Sequence, residues 1–182
     1  MGQSLSTKLI YGVKVYDADE EAWPYPFDRE TYRTIWPAWV DLTELEDQEG
    51  EPDDFEEQCE DHLLKIYTSF REAKPAWNSD EFDGWYDRYA AAKKTAGLGS
   101  GTHELGFHRA GTTNYQDIYL GYKLFGCSGA ASEFDLQQTA DAYHTQRSNK
   151  DWANTIEAAV KALNFEFKDV DVPRMWLLAK YS

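Results

Sequence analysis

The chain alternates apolar and polar residues in several short segments, and this pattern predicts β-strands. In residues 7–17 every second side chain is apolar, at Leu9, Tyr11, Val13 and Val15. Successive side chains of a strand point to opposite faces, so such alternation is typical of a strand with one buried face. Residues 103–109 and 115–125 predict a hairpin around the turn segment 110–114, and Pro173 to Tyr181 predicts a closing strand. One face of the second hairpin strand carries Ile118, Leu120, Tyr122 and Leu124.

Apolar residues at steps of three and four predict helices in the first half of the chain. Asp28 can cap a short helix over residues 29–36, which Pro37 ends. Asp53 or Asp54 can cap a longer helix that ends near Ala73, with an apolar stripe of Phe55, Cys59, Leu63, Ile66 and Phe70. Ser79 can cap a third helix that runs to about Thr95, with an aromatic stripe of Phe82, Trp85, Tyr86 and Tyr89.

Two further helical segments follow the predicted hairpin. The first covers residues 135–147, and the second is capped by Asn149 and ends at Asn164, which suits a left-handed C-cap. The inner stripe of the second helix is Trp152, Ile156, Ala159, Val160 and Leu163. Together these elements predict an α+β fold, with a mixed or antiparallel sheet of four to five strands and four to five helices packed against it.

A single domain over residues 1–182 is expected, because domains of 100–200 residues are common. The glycine-rich segment 97–101 marks a candidate sub-structure boundary near residues 96–102. Neither half alone reads as a complete fold, so we expect a loop within one domain. Aromatic residues make up 15% of the chain, which is too many for a disordered protein. They predict a core of large rings, or rings left outside as contact anchors.

The net charge of −15 is concentrated in the first half of the chain. Residues 1–87 contain 23 acidic and 7 basic residues, whereas residues 88–182 contain 10 acidic and 11 basic residues. The densest stretch is residues 44–61, which hold eleven carboxylates and no lysine or arginine. We call it the acidic stretch; its carboxylates are Glu44, Glu46, Asp47, Glu49, Glu51, Asp53, Asp54, Glu56, Glu57, Glu60 and Asp61.

Crowded carboxylates repel each other, so the acidic stretch is either a solvated loop leading into a helix or a surface that attracts a basic partner. The charge argues against direct binding to nucleic acid, since that affinity comes from Lys and Arg neutralising phosphates. An anionic membrane surface is disfavoured for the same reason. The expected partner is the basic surface of another protein, and a nucleic-acid-binding protein presents such a surface.

The histidines and glycines do not match known catalytic motifs. His103 and His108 are five residues apart in a predicted strand, whereas the helical zinc-protease motif needs two histidines four apart. The segment Gly97–Gly101 lacks the Gly-Lys-Ser/Thr ending of a phosphate-binding loop. We therefore expect no metal and no cofactor.

Cysteine and carboxylate chemistry stays open on the sequence alone. Cys127 is a candidate nucleophile without a family signature around it. Asp80, Glu81 and Asp83 beside Trp85 are candidate glycosidase carboxylates, although a pair means little without its separation. No signal peptide pattern opens the chain, and no stretch approaches the ~20 apolar residues of a membrane span. A cytoplasmic protein with free thiols at Cys59 and Cys127 is expected.

Part of the chain resembles small accessory proteins encoded by bacteriophages. The similar segments are the opening strand LIYGVKV, the hairpin LGFHRAGTTNYQDIYLGYKLFG and the closing VPRMWLLAKYS. Such proteins include anti-restriction and anti-CRISPR inhibitors, some of which mimic DNA with carboxylates at phosphate-like spacing. The resemblance implies a host-defence inhibitor acting in the host cytoplasm. It carries no catalytic residues, and the near-neutral second half implies that any mimicry is local.

Three hypotheses follow. The first is a non-enzymatic acidic protein that occupies the nucleic-acid-binding surface of a protein partner. The second is a hydrolase of unrecognised type, which needs a concave pocket with displaced carboxyl pKa values. The third is a structural or assembly module that forms a homodimer or larger homo-oligomer.

Overall fold

The computed structural model describes residues 5–19, 23–30, 32–42, 54–112, 115–128, 141, 144, 151–166 and 173–181. Its strands are β1 (Leu5–Tyr16), β2 (Phe27–Asp28), β3 (Arg33–Thr34), β4 (Leu105–Thr112), β5 (Tyr115–Ser128) and β6 (Arg174–Tyr181). Its helices are α1 (Phe55–Tyr67), α2 (Phe82–Ala96) and α3 (Asp151–Ala162). The α+β class is confirmed, with a mixed sheet of four strands.

The main sheet runs in the order β6–β1–β5–β4, and all of these neighbours are antiparallel. It closes on itself through a parallel bridge between Gly111 of β4 and Lys180 of β6. Closure is favoured by a close approach of β1 and β5 where Gly12 pairs with Gly121. A Cβ atom on Gly121 would lie 2.5 Å from the Tyr11 carbonyl oxygen, so no larger residue fits there without a shift.

The alternation of β1 and β5 places side chains in two separate cores. The larger core includes every second residue of β1 from Leu9 to Val15, and it packs against the three helices. The smaller core lies on the inner face of the closed sheet and consists of Ile10, Ala110, Tyr119 and Leu178, with Trp176 against it. Both faces of the sheet are therefore buried, which explains why Ile10, on the predicted polar face of β1, is completely inaccessible.

Large rings fill the space between β1, the N-terminal half of α1 and the C-terminal end of α3. Trp23, Tyr25, Trp36, Phe55 and Phe165 contact each other there with ring centroids 4.9–6.2 Å apart. The Tyr25 hydroxyl donates to the carbonyl of Leu163, and burial raises the pKa of that hydroxyl. The prediction of a core built on aromatic rings is thus confirmed for this group.

The predicted helix over residues 29–36 is wrong, because this segment forms the hairpin of β2 and β3. Asp28 Oδ1 accepts from the amide of Glu30, a tight-turn bond, instead of capping a helix. Tyr32 has a φ of 54°, in the left-handed region, which closes the turn. The proline-bounded segment is too short to gain much helical hydrogen bonding, so the turn and the packing of Trp36 decide its conformation.

The helix α1 ends at Tyr67, earlier than the predicted Ala73. Thr68 takes an extended conformation and its hydroxyl donates to the carbonyl of Leu64 at 2.7 Å, which ends the helix. Ile66, in the last turn of α1, is half exposed and is not part of the buried stripe. Asp54 stands at the predicted N-cap position, but its side chain makes no capping hydrogen bond, and the alternative cap Asp53 lies outside the described residues.

The number of helices differs from the prediction of four to five, since three are described. One difference is the β2–β3 hairpin, and the predicted helix 135–147 lies almost wholly outside the described residues. The predicted inner stripe of α3 is confirmed, since Trp152, Ile156 and Ala159 are buried. Asn164 follows the helix in the left-handed region, with a φ of 58°. The segment 97–101 is a loop held to β4, because Leu105 donates its amide to Gly97 and Gly99 donates to Leu105.

Candidate partner-binding surface

The acidic stretch is described in part, at five of its eleven carboxylates. Glu44, Glu46, Asp47, Glu49, Glu51 and Asp53 lie outside the described residues. The other five lie in or directly before α1, and four of them have partners within the protein: Glu56 bonds Arg109, Glu57 bonds Lys74, Glu60 bonds Lys93, and Asp61 accepts from the Tyr89 hydroxyl. Asp54 is exposed.

Three of these contacts are ion pairs, so a cation of the same chain compensates Glu56, Glu57 and Glu60. Arg109 Nε lies 2.7 Å from Glu56 Oε1, and Lys74 Nζ lies 2.5 Å from Glu57 Oε1. The bond to Glu57 raises the pKa of Lys74, and burial followed by the Asp61 contact raises that of Tyr89. Because these carboxylates are engaged, they are poorly placed to attract an external partner.

Carboxylates without such partners lie instead at the N-terminal end of α2. Asp80, Glu81, Asp83 and Asp87 are all exposed, and none has an ion pair among the described residues. Two exposed rings accompany them, Trp77 with 82% of its surface accessible and Tyr86 with 55%. We call this group the α2 surface; it consists of Trp77, Asp80, Glu81, Asp83, Tyr86 and Asp87.

Two local hydrogen bonds order the segment that leads into α2. The amide of Ser79 donates to the carbonyl of Ala76 at 2.9 Å, and the amide of Phe82 donates to the carbonyl of Ser79 at 3.1 Å. These two successive turns connect the backbone around Trp77 to the first turn of α2. The carboxylates gain from the positive end of the helix macrodipole, which supports acidic residues near an N-terminus. Asp83 and Asp87, four residues apart, share one helix face and repel each other.

Buried rings fix the orientation of α2 and leave the α2 surface outside. Trp85 is 5% accessible and stacks on Tyr89 with 4.9 Å between ring centroids. Tyr86, one residue further on, points outward and stacks on Phe82 at 6.2 Å. The predicted aromatic stripe is thus divided: Trp85 is a core residue and Tyr86 is an exposed one.

The nearest arginine on α2 is already engaged. Arg88 donates to both carboxylate oxygens of Glu72, at 2.8–3.1 Å, and this contact lowers the pKa of Glu72. Arg88 therefore leaves the charge of the α2 surface uncompensated. The direction of the Glu72 shift is also opposite to the raised pKa that a general acid needs.

The histidines and cysteines considered for catalysis lie in different surroundings. His108 is buried inside the closed sheet, whereas His103 is exposed and packs near Trp152. Cys59 is buried in the large core, and the side chain of Cys127 lies outside the described part of the structure. The described residues contain no group of three or more His, Cys, Asp or Glu side chains arranged to hold a metal ion. The glycosidase candidates Asp80, Glu81 and Asp83 lie on the outside of α2.

Sequence reasoning missed Trp77 as a functional candidate, although a signal was present. Trp77 lies between Pro75 and the Asn78-Ser79 turn, outside any apolar periodicity. A tryptophan that no helix or strand pattern assigns to a core is a candidate for an exposed contact. The pairing of Glu56 with Arg109, 53 residues away, had no local signal.

Family models, curated proteins and solved structures were compared with the chain, and none of them matches it. Within the described ranges, every helix is too short or too polar to cross a lipid bilayer.

Proposed function

We propose that the protein is a non-enzymatic binding protein that uses the α2 surface to occupy a basic surface on a protein partner. The observation that carries the proposal is the position of Trp77, 82% exposed beside carboxylates that no described cation neutralises. Exposed tryptophan is costly in water and is the residue most enriched at binding hot spots.

The two components of the α2 surface have different roles in binding. The four carboxylates speed the encounter with a positive surface, since long-range attraction raises association rates and weakens with salt. Trp77 and Tyr86 bury apolar area in the complex and so slow dissociation. Substitution of a hot-spot tryptophan costs ~2 kcal/mol or more, which is at least about a 30-fold loss of affinity.

The partner that suits this surface is a nucleic-acid-binding protein, because its binding channel concentrates Lys and Arg. Carboxylates on α2 would then stand where phosphates of the nucleic acid bind, and the protein would act as an inhibitor. The resemblance to phage accessory proteins supports a host-defence effector as the target, in the host cytoplasm. The mimicry is local, because Glu56, Glu57 and Glu60 form ion pairs within the fold.

The experiment is affinity capture from host lysate at ~50 mM salt, followed by elution with rising salt. The added salt screens the attraction between exposed charges of the protein and its partner. A neutral variant removes the four charges of the α2 surface: Asp80→Asn, Glu81→Gln, Asp83→Asn and Asp87→Asn. A matched control removes four exposed charges elsewhere: Glu30→Gln, Asp151→Asn, Glu157→Gln and Glu166→Gln. Circular dichroism confirms that both variants are folded.

We expect one basic partner that is retained by the wild type and the control, is lost with the neutral variant, and is released by salt. Trp77→Ala should weaken its retention, whereas Tyr32→Ala, at an equally exposed ring on the β2–β3 hairpin, should not. Equal retention by the neutral variant and the wild type would refute the proposal. The same partner should lose its nucleic acid when the wild type binds.

A second candidate function, self-assembly, is favoured by the β2–β3 hairpin. Phe27, Tyr32 and Ile35 are 55%, 77% and 56% exposed there, so three apolar side chains lie on one short hairpin. If this hairpin forms a homodimer, light scattering should give twice the 21.0 kDa monomer mass at high concentration, and Phe27→Ser should restore the monomer. A monomer at all concentrations excludes this candidate.

A further inference from the structure

Three lysines converge at one end of the inner face of the closed sheet. Lys8 of β1 pairs with Gly126 of β5 on one side and with Leu178 of β6 on the other. Lys123 of β5 stands opposite Ile10, and Lys180 of β6 stands opposite Ser6, the residue two before Lys8. Residues two apart on a strand share a face, so all three side chains lie on the inner face with Ile10 and Leu178.

The stems of two of these lysines meet over a glycine. A Cβ atom added to Gly126 would lie 3.6 Å from Lys8 Cγ and 3.7 Å from Lys123 Cδ. Both side chains therefore rise beside a backbone position that carries no side chain of its own. The stems of Lys8 and Lys123 therefore lie on either side of Gly126, and the charges of Lys123 and Lys180 act on Lys8.

The opposite end of the inner face shows how this fold compensates a lysine. There Lys14 Nζ lies 2.7 Å from Asp17 and 3.1 Å from Asp117. By contrast, Lys8, Lys123 and Lys180 have no ion pair among the described residues, in a chain of net charge −15. The carboxylate whose field reaches Lys8 is Glu56, and Glu56 is bonded to Arg109. Burial, followed by repulsion from Lys123 and Lys180, lowers the pKa of Lys8.

A buried polar atom lies directly below the lysines. His108 is 1% accessible, and its Nε2 lies 3.2 Å from the carbonyl oxygen of Gly121. Its Nδ1 has no hydrogen-bond partner in the described part of the chain. Gly121 precedes Lys123 by two residues on the same face, so the ring is turned toward the lysine end. The positive charges of Lys8 and Lys123 both help to lower the pKa of His108.

We propose that Lys8, Lys123 and Lys180, with His108 beneath them, form a binding site for the phosphate group of a small molecule. Uncompensated ammonium groups are point-charge ligands for phosphate oxygens, and a bound anion would relieve their mutual repulsion. His108 Nδ1 can accept the hydrogen bond of a protonated phosphate oxygen. A long polyanion is disfavoured because the rest of the chain would repel it. The site is separate from the α2 surface and does not depend on the proposed function.

The test is titration of the full chain with inorganic phosphate at constant ionic strength, followed by calorimetry and by NMR of the lysine side chains. Lys8→Met and Lys123→Met remove a charge while keeping the apolar stem. The matched control is Lys161→Met, at an exposed lysine of α3. We expect at least about a 10-fold weaker affinity in each site variant, the loss of one charge-assisted contact. Lys161→Met should bind as the wild type does.

A second readout does not depend on the variants. Phosphate should raise the melting temperature of the wild type, since a ligand that binds only the folded state stabilises it, and chloride at equal ionic strength should not. A nucleoside triphosphate and a short single-stranded oligonucleotide complete the series. The triphosphate is expected to bind and the oligonucleotide is not. Unchanged affinity in the site variants, equal effects of chloride and phosphate, or tighter binding of the oligonucleotide would each overturn the proposal.

Discussion

Acidification should destabilise this protein through His108, in a pH range above that in which most carboxylates titrate. Burial, then the charge of Lys8, lowers the pKa of His108 to about 4. In the unfolded chain the pKa of histidine is about 6.5. Between pH 6.5 and pH 4 the histidine is therefore protonated in the unfolded chain but neutral in the folded protein. The free energy of unfolding consequently decreases as the pH falls through this range.

The size of the effect follows from the two pKa values. Relative to pH 7, linkage gives a loss of about 0.7 kcal/mol at pH 6 and about 2 kcal/mol at pH 5. The suitable variant is His108→Gln, whose amide can donate to the Gly121 carbonyl as Nε2 does but has no proton to gain. The carboxylates titrate in both proteins, so their contribution cancels in the difference.

The assay is urea denaturation of both proteins at pH 7, 6 and 5, in buffers without phosphate. The free energy of unfolding of the wild type should fall relative to that of His108→Gln by the amounts given above. A difference between the two proteins that stays constant across this range would refute the reasoning, because His108 would then titrate alike in both states.

Three further predictions concern stability. Gly121→Ala should lower the free energy of unfolding by at least ~1–3 kcal/mol in denaturant melts, because the added Cβ would overlap the Tyr11 carbonyl oxygen and Gly12. An unchanged denaturation midpoint would contradict the close approach of β1 and β5. Trp77→Ala should change the free energy of unfolding by less than about 0.5 kcal/mol, whereas Trp85→Ala should lower it by ~3–5 kcal/mol. Similar losses from both variants would mean that Trp77 contributes to the stability of the fold and is not an exposed residue available to a partner. Arg109→Met should lower the free energy of unfolding by at most ~1 kcal/mol, since the ion pair between Arg109 and Glu56 is partly exposed. A loss of stability that does not become smaller at high salt would contradict this reasoning.

Elements with a strong local pattern were predictable from the sequence. The strand β1, the β4–β5 hairpin and the α3 stripe ending at Asn164 depend on periodicities of two or about 3.6, which neighbouring residues set on their own. The face of β5 that carries Ile118 to Leu124 was also predicted, and it lies in the large core as expected.

Elements decided by distant contacts were not predictable in this way. Residues 29–36 follow a helix-compatible pattern, yet Trp36 packs against Phe55, and a turn forms instead. The early end of α1 depends on Phe70, which leaves the helix to pack on Trp85 and Tyr89 of α2.

The candidate surface shows the same limit. Local density of carboxylates singled out the acidic stretch, but compensation by Arg109 and Lys93 comes from residues 53 and 33 positions away. The sparser carboxylates of the α2 surface have no ion pair among the residues that the structure describes, and only the folded arrangement distinguishes the two sets. The pairing of β1 with both β5 and β6 likewise gathers Lys8, Lys123 and Lys180, which lie far apart in the sequence.

The most direct test of the central claim is the salt dependence of the association rate between this protein and the partner that it retains at low salt. Between ~50 and ~500 mM salt the wild-type rate constant should fall by about 10-fold or more, whereas the neutral variant of the α2 surface should associate slowly at both concentrations. A wild-type rate that does not change with salt, or a neutral variant that matches the wild type at low salt, would contradict binding through these carboxylates.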